Sequence, residues 1–195
     1  GKIIFTRGDH ATMARVPHVT ASDLDPEHRD LIVSSLQPGE TLNVYSTIGN
    51  NEQVLVGLRE FLSTLWDDSG LSDRHREIVI LTTASETKQD YEWHQHVSIA
   101  SKAGLDHEEI GAIARDDRSG FSTSEQALIA YTRSVIRGRV TGALHEAVAE
   151  QFDEEAMVGV AATATGYFAL GRMIEAFGIE IETGDEFVGW DVTDE

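Results

Sequence analysis

The sequence has no cysteine, only 3 prolines, and lysine only at Lys2, Lys88 and Lys102. Without thiols, disulfides, thiolate metal sites and thiol redox catalysis are excluded. The prolines stand at positions 17, 26 and 38, so beyond Pro38 no missing amide N–H interrupts a helix. Basic residues number 15 against 34 acidic ones, a formal net charge of -19. That surplus repels nucleic-acid phosphates and anionic bilayers, so neither nucleic acid nor membrane is expected as a partner. The acids are dispersed along every segment, a pattern that high salt screens; a halophilic source, and stability that rises with molar KCl, are the expectation. No charged-then-apolar leader opens the sequence, and no stretch reads as long and apolar enough to span a bilayer, which points to a soluble, cytoplasmic protein.

What the sequence has in abundance is helical periodicity. Its 195 residues, 41% of them apolar, suffice for one main core. Apolar spacing, caps and glycine stops predict helices at about 26–36, 41–49, 51–66, 72–87, 89–103, 107–115, 123–137, 142–151 and 154–177. Ser72 reads as an N-cap, and Asp106 with Glu109 and Ser122 with Glu125 have the spacing of capping boxes. No strand-turn-strand signal and no solenoid repeat stands out, so the fold class is all-α. The organisation expected is an N-terminal extension and first helix over 1–40, a helical domain over 41–178 and a C-terminal tail over 179–195 that could wrap a partner subunit. Within the extension, "MARVPHVT" from Met13 would serve as a natural start.

The stretch "QDYEWHQH" at 89–96 breaks the apolar pattern. At about 100° per residue, Gln89, Glu92, Trp93 and His96 fall on one face with Ala100 and Ala103, while His94 turns toward the rim. One helix earlier, Glu77 shares a face with Ile80, Leu81 and Ala84, and His75, Arg76 and Thr83 read as pointing elsewhere. A carboxylate on an apolar stripe is costly unless it is paired or hydrogen-bonded. Two helices joined by a short turn would therefore enclose a polar pocket holding two carboxylates, an imidazole and an amide.

The run "REIVILTTASETKQDYEWHQHVSIASKAGLDHEEIGAI" resembles the carboxymuconolactone decarboxylase family, in the superfamily that includes alkyl hydroperoxidase D. The likeness is strongest over about residues 50–120 and extends to 178. In the peroxidase branch the site is a glutamate, eleven residues, a CxxC pair, three residues and a histidine. Laid on this sequence, Glu77 and His96 take the glutamate and histidine positions, and Gln89 and Glu92 replace the cysteines. The resemblance implies a multi-helical homo-oligomer, a trimer or hexamer with dimers also known. It also implies cofactor-free, metal-free acid/base chemistry, a decarboxylation or isomerisation, on a small lactone or organic acid. In that scheme His96, Glu77 and Glu92 are catalytic, with His96 moving the proton, while Gln89, Trp93 and Tyr91 bind or enclose the substrate.

Other readings weigh against each assignment. His96 could be a core histidine bonded to a backbone carbonyl, and Glu77 could pair with Arg133 or Arg172. Glu92 and His96, one turn apart, could chelate a metal with Glu77 or His94 as third ligand. Arg133, Arg137 and Arg139 could be cations at a helix C-terminus or could hold a substrate carboxylate. "GVAATATGYFALGRM" reads as close helix packing, within the subunit or across an oligomer interface. A peroxide-related role would need the missing thiols, and a non-catalytic binding oligomer would keep the pocket without the reaction.

Overall fold

The computed structural model describes residues 14–35 and 39–192; the start at Met13 and the end of the first expected helix at Leu36 lie outside them. Among the described residues eight α-helices follow in order: α1 (Asn43–Ile48), α2 (Glu52–Asp67), α3 (Asp73–Thr87), α4 (Asp90–Lys102), α5 (His107–Arg115), α6 (Thr123–Arg137), α7 (Gly142–Ala149) and α8 (Glu154–Phe177). Among the described residues there is no strand, only one antiparallel bridge between Val33 and Thr41. The all-α expectation therefore holds.

Ser72, Asp106 and Ser122 cap α3, α5 and α6 through their side chains, and both capping boxes form. The helix expected from Pro26 is instead a 3-10 turn over Pro26–Ile32. The chain leaves it in an extended conformation because Ser34 N–H donates to Glu40 O (2.7 Å) and Leu42 N–H to Ile32 O (3.0 Å), which satisfies this backbone without further helix.

Every residue from Arg76 to Ser85 on α3 is buried, so this helix runs through the middle of the fold, packed by α4, α5, α6 and α8. Ile78, Val79, Leu81 and Ala84 face one apolar cluster with α5 and α6. Ile80 faces a second, built with α1, α2 and the C-terminal half of α8. A helix enclosed on all sides has no outward face, so Arg76 and Thr83, though they point elsewhere than the Glu77 face, are buried as well.

α8 also corrects the sequence reading. It is long and apolar enough to cross a bilayer, but 56% of its most apolar window is buried inside the fold, where its apolar side chains build both clusters. Its small residues serve packing within the subunit. A Cβ on Gly159 would stand 1.9 Å from the backbone oxygen of Ser69, so the helix touches the loop before α3 backbone to backbone.

The tail covers its own chain. Trp93 Nε1–H donates to Gly189 O (2.8 Å), and the rings of Trp93 and Trp190 lie 4.9 Å apart. Glu182 accepts from the Tyr91 hydroxyl (2.5 Å), Gln95 Nε2 (2.5 Å) and the Asn43 amide (2.9 Å), tying residues 179–192 to α1 and α4.

Candidate functional site

α3 and α4 are joined by a turn of two residues. Lys88 takes a left-handed conformation (φ 53°) and Gln89 caps α4, so the helices run back along each other. This juxtaposition brings Glu77 to His96. The His96 Nδ1–H donates to Glu77 Oε2 (2.8 Å), and Glu77 is 0% exposed. The other Glu77 oxygen accepts from Arg76 Nε (3.1 Å). Arg76 is itself fixed by Asp73 (2.9 Å), by the Trp66 carbonyl (3.3 Å) and by lying 3.9 Å over the Trp66 ring. A buried carboxylate between two donors, one of them a permanent cation, is the compensation that its burial demands.

The far side of the imidazole faces open space. His96 and Glu92 line a cavity of about 590 Å³ whose wall includes Tyr45, Trp66, Tyr91 and Tyr167. Tyr167 meets the imidazole edge-on at 5.2 Å and accepts from Trp66 Nε1 (2.8 Å). Residues 28–35 supply His28, Leu31, Ser34 and Ser35, so the N-terminal segment closes part of this wall.

Glu92 Oε2 lies 3.8 Å from His96 Nε2, and among the described residues the other Glu92 oxygen is buried without a hydrogen-bond partner. Burial pushes the Glu92 carboxyl up to about 7; the Glu77 carboxylate adds to the rise and His96 works against it. For His96 burial opposes the charge, but the Glu77 carboxylate, through its field and its hydrogen bond, outweighs it and raises the imidazole above its ordinary value. The cavity thus holds two groups able to exchange protons, a carboxyl that titrates at about 7 and an imidazole raised above its ordinary value.

The raised Glu92 has a consequence for stability. Between the unfolded value of about 4.5 and the folded value of about 7, the native state keeps a proton that the unfolded chain has lost, so stability falls as pH rises through that window. Glu92→Gln lacks this slope. The variant is expected to gain on the native protein by up to ~3 kcal/mol between about pH 4.5 and pH 8, read from urea unfolding at both values. A difference between the two proteins that does not change with pH would count against a protonated Glu92.

Of the residues expected in the pocket, Glu77, Glu92 and His96 converge, and Tyr91 lines the wall. Gln89 and Trp93 do not belong there. Gln89 accepts from Tyr91 N–H (3.2 Å) and donates to Gly171 O (3.0 Å), which caps α4 and pins it to α8. Trp93 is fully buried in the apolar cluster on the opposite side. The arginines proposed for Glu77 are engaged elsewhere, Arg133 with Glu86 (2.6 Å) and Asp116 (2.9 Å) and Arg172 with Glu175 (2.5 Å). Arg137 also pairs with Glu86, so it and Arg133 are not carboxylate receptors. His94 sits under the tail, accepting from Val188 N–H (3.3 Å).

Glu77, Glu92 and His96 do not share a metal point, because Glu77 takes Nδ1 and Glu92 faces Nε2 on the other side of the ring. Asp25, His28 and Glu52 do bring ligand atoms within 4.8 Å of one another. There, however, Glu52 Oε1 already accepts from Asp25 N–H (2.9 Å) and His28 Nδ1 (2.6 Å), which fastens the 3-10 turn to α2. Arg76, Tyr45, Trp66, Tyr167 and Arg59 complete the site and were not singled out from sequence. Their only signal was the aromatic or basic side chain itself, which does not distinguish a pocket wall from an ordinary core or surface position.

A search of curated proteins gave no match. Among solved structures, the chain is similar to the alkylhydroperoxidase AhpD core of an uncharacterized peroxidase-related protein from Ralstonia eutropha. The TM-score is 0.78 at 19% identity, over 93% of this chain and 98% of that one. A peroxidase-related protein from Silicibacter matches with a TM-score of 0.73 at 16% identity, over 88% and 96% of the two chains. The debrominase Bmp8, in a complex with 2,3,4-tribromopyrrole, matches with a TM-score of 0.73 at 18% identity, over 86% and 91%. These likenesses establish a shared fold. The model of the carboxymuconolactone decarboxylase family matches residues 54–133, the segment that carries most of α2 to α6 and with them Glu77, Glu92 and His96, so this part of the chain is similar to that family.

Proposed function

We propose that the protein is a cofactor-free acid/base catalyst acting on a small lactone or unsaturated organic acid, by decarboxylation or isomerisation. The observation that carries this reading is that His96 Nε2 faces Glu92 Oε2 on a walled cavity, the other Glu92 oxygen having no hydrogen-bond partner among the described residues, while Glu77 holds the opposite ring nitrogen. Glu77 fixes the tautomer and stabilises the imidazolium, so proton traffic is confined to Nε2 and the Glu92 carboxyl. In a decarboxylation the C–C bond to the leaving carboxylate breaks. Its electron pair passes into the conjugated carbonyl as an enolate, and a proton from His96 or Glu92 reaches carbon. The neutral Glu92 carboxyl can donate a hydrogen bond to the developing enolate oxygen. Peroxide chemistry of the disulfide kind has no thiol here to run it.

The test is turnover of 4-carboxymuconolactone and a panel of related lactone acids by the metal-free protein. Because the Glu92 carboxyl loses its proton as pH rises through about 7, turnover is expected to fall there. Folded protein that turns over no member of the panel between about pH 5 and pH 8, on either side of the Glu92 transition, overturns the reading.

A further inference from the structure

The cavity contains a cation that the proton transfer does not use. Arg59, on α2, lies 4.3 Å over the ring of Tyr45 and donates to Ser35 Oγ (3.0 Å). Among the described residues it forms no ion pair. Among the arginines that are not exposed this is unusual: Arg74, Arg76 and Arg133 each reach a carboxylate, while Arg15, Arg29, Arg118 and Arg139, which form no ion pair among the described residues either, are exposed, and acids outnumber bases 34 to 15. A half-buried guanidinium left without a carboxylate amid such a surplus, on the wall of a cavity, is a receptor for an anion that the protein does not itself supply. Stacking on Tyr45 and the bond to Ser35 hold its plane, so a bidentate partner would lose little freedom on binding. Lys102, the other permanent cation on this wall, is exposed at the end of α4 and lacks such fixing.

Resting on the proton-transfer reading, we propose that Arg59 is the specificity residue of this cavity: it binds a substrate carboxylate that the reaction leaves in place, so the substrates are small planar acids with a retained carboxylate at one end and the reacting carbon at the other. Tyr45, beneath Arg59, shares the wall with Glu92 and Tyr167, and the latter touches His96. The anchoring and reacting ends thus lie on one continuous wall. The carboxylate held by Arg59 cannot be the one expelled, because an ion pair with it would stabilise the ground state and oppose its loss.

The probe is 2-furoate against methyl 2-furoate, the same ring with and without charge, with dissociation constants measured for native protein, Arg59→Gln and Arg59→Lys. Native protein is expected to prefer the acid. Arg59→Gln should weaken 2-furoate roughly 10–100-fold and leave the ester within about 2-fold. Arg59→Lys should recover only part of the loss, since an ammonium cannot reproduce the stacked fork. No preference for acid over ester in the native protein, unchanged 2-furoate affinity in Arg59→Gln, or parallel loss of acid and ester would each overturn the proposal. Thermal melts confirm that each variant is folded. Binding is read without turnover, so a panel assay that finds no substrate refutes the reaction and leaves this result to stand or fall separately.

Discussion

Replacing His96 with glutamine is expected to lower turnover of an accepted lactone acid by about 10²–10⁴-fold, the usual contribution of a positioned proton-transfer group. Glutamine is chosen because its amide can still donate toward Glu77, so the buried carboxylate keeps a partner where alanine would leave it stranded. The edge contacts with Tyr167 and Trp66 are partly preserved as well. The loss should appear in kcat, with 2-furoate affinity unchanged, because Arg59 and not His96 holds the ground state. A His96→Gln enzyme within about 3-fold of native turnover, far short of a catalytic contribution, would show that the proton travels by another group, and Glu92 would then be the one to replace.

The sequence made the helices legible because their signals are local. Caps at Ser72, Asp106 and Ser122 act within one turn of their own position, and α2 and α5 each have a distinct apolar stripe. The pair Glu77 and His96 was legible for a related reason: both lie well inside their helices, where the 100° wheel is valid. Gln89 was misplaced by the same wheel. As N-cap it has extended backbone (φ -91°, ψ 96°), so its side chain does not follow the helical progression and turns back to Tyr91 N–H. Trp93 fell in the chosen wedge, but the side of α4 that it occupies is filled by the tail through Gly189 and Trp190, a contact 96 residues away in sequence. Arg76 escaped notice because α3 is enclosed on every side, so no periodicity separates inside from outside. Arg59 and Tyr45 stand on different helices, and their stacking is tertiary. Sequence position alone makes Arg133, Arg137 and Arg139 the candidates to hold a carboxylate, but Glu86 already pairs with Arg133 and Arg137 at the C-terminal end of α6.

Glu77→Leu is expected to cost about 3–5 kcal/mol of stability, a larger loss than any surface substitution brings, because it removes one partner of a buried ion pair and leaves the others uncompensated. The native carboxylate answers Arg76 Nε with one oxygen and His96 Nδ1 with the other. Arg76 would keep Asp73 and the Trp66 carbonyl, so much of the penalty falls on His96, whose raised pKa depends on Glu77 first among the groups that favour its charge. Glu77→Gln separates shape from charge. It retains an acceptor for one donor and the volume of the side chain, so a cost on the order of 1–3 kcal/mol is expected. With the carboxylate gone, burial prevails and the His96 titration followed by NMR moves below its native midpoint. Urea unfolding at one pH ranks the three proteins as native, Gln, Leu. If Glu77→Leu unfolds at the native midpoint, the carboxylate is not what compensates Arg76 and His96. If Glu77→Gln leaves the His96 midpoint unmoved, the imidazole owes its basicity to something other than the hydrogen bond on Nδ1. Either result separates the fold's stability from the chemistry proposed for Nε2, because in this site a single buried carboxylate is assigned both tasks.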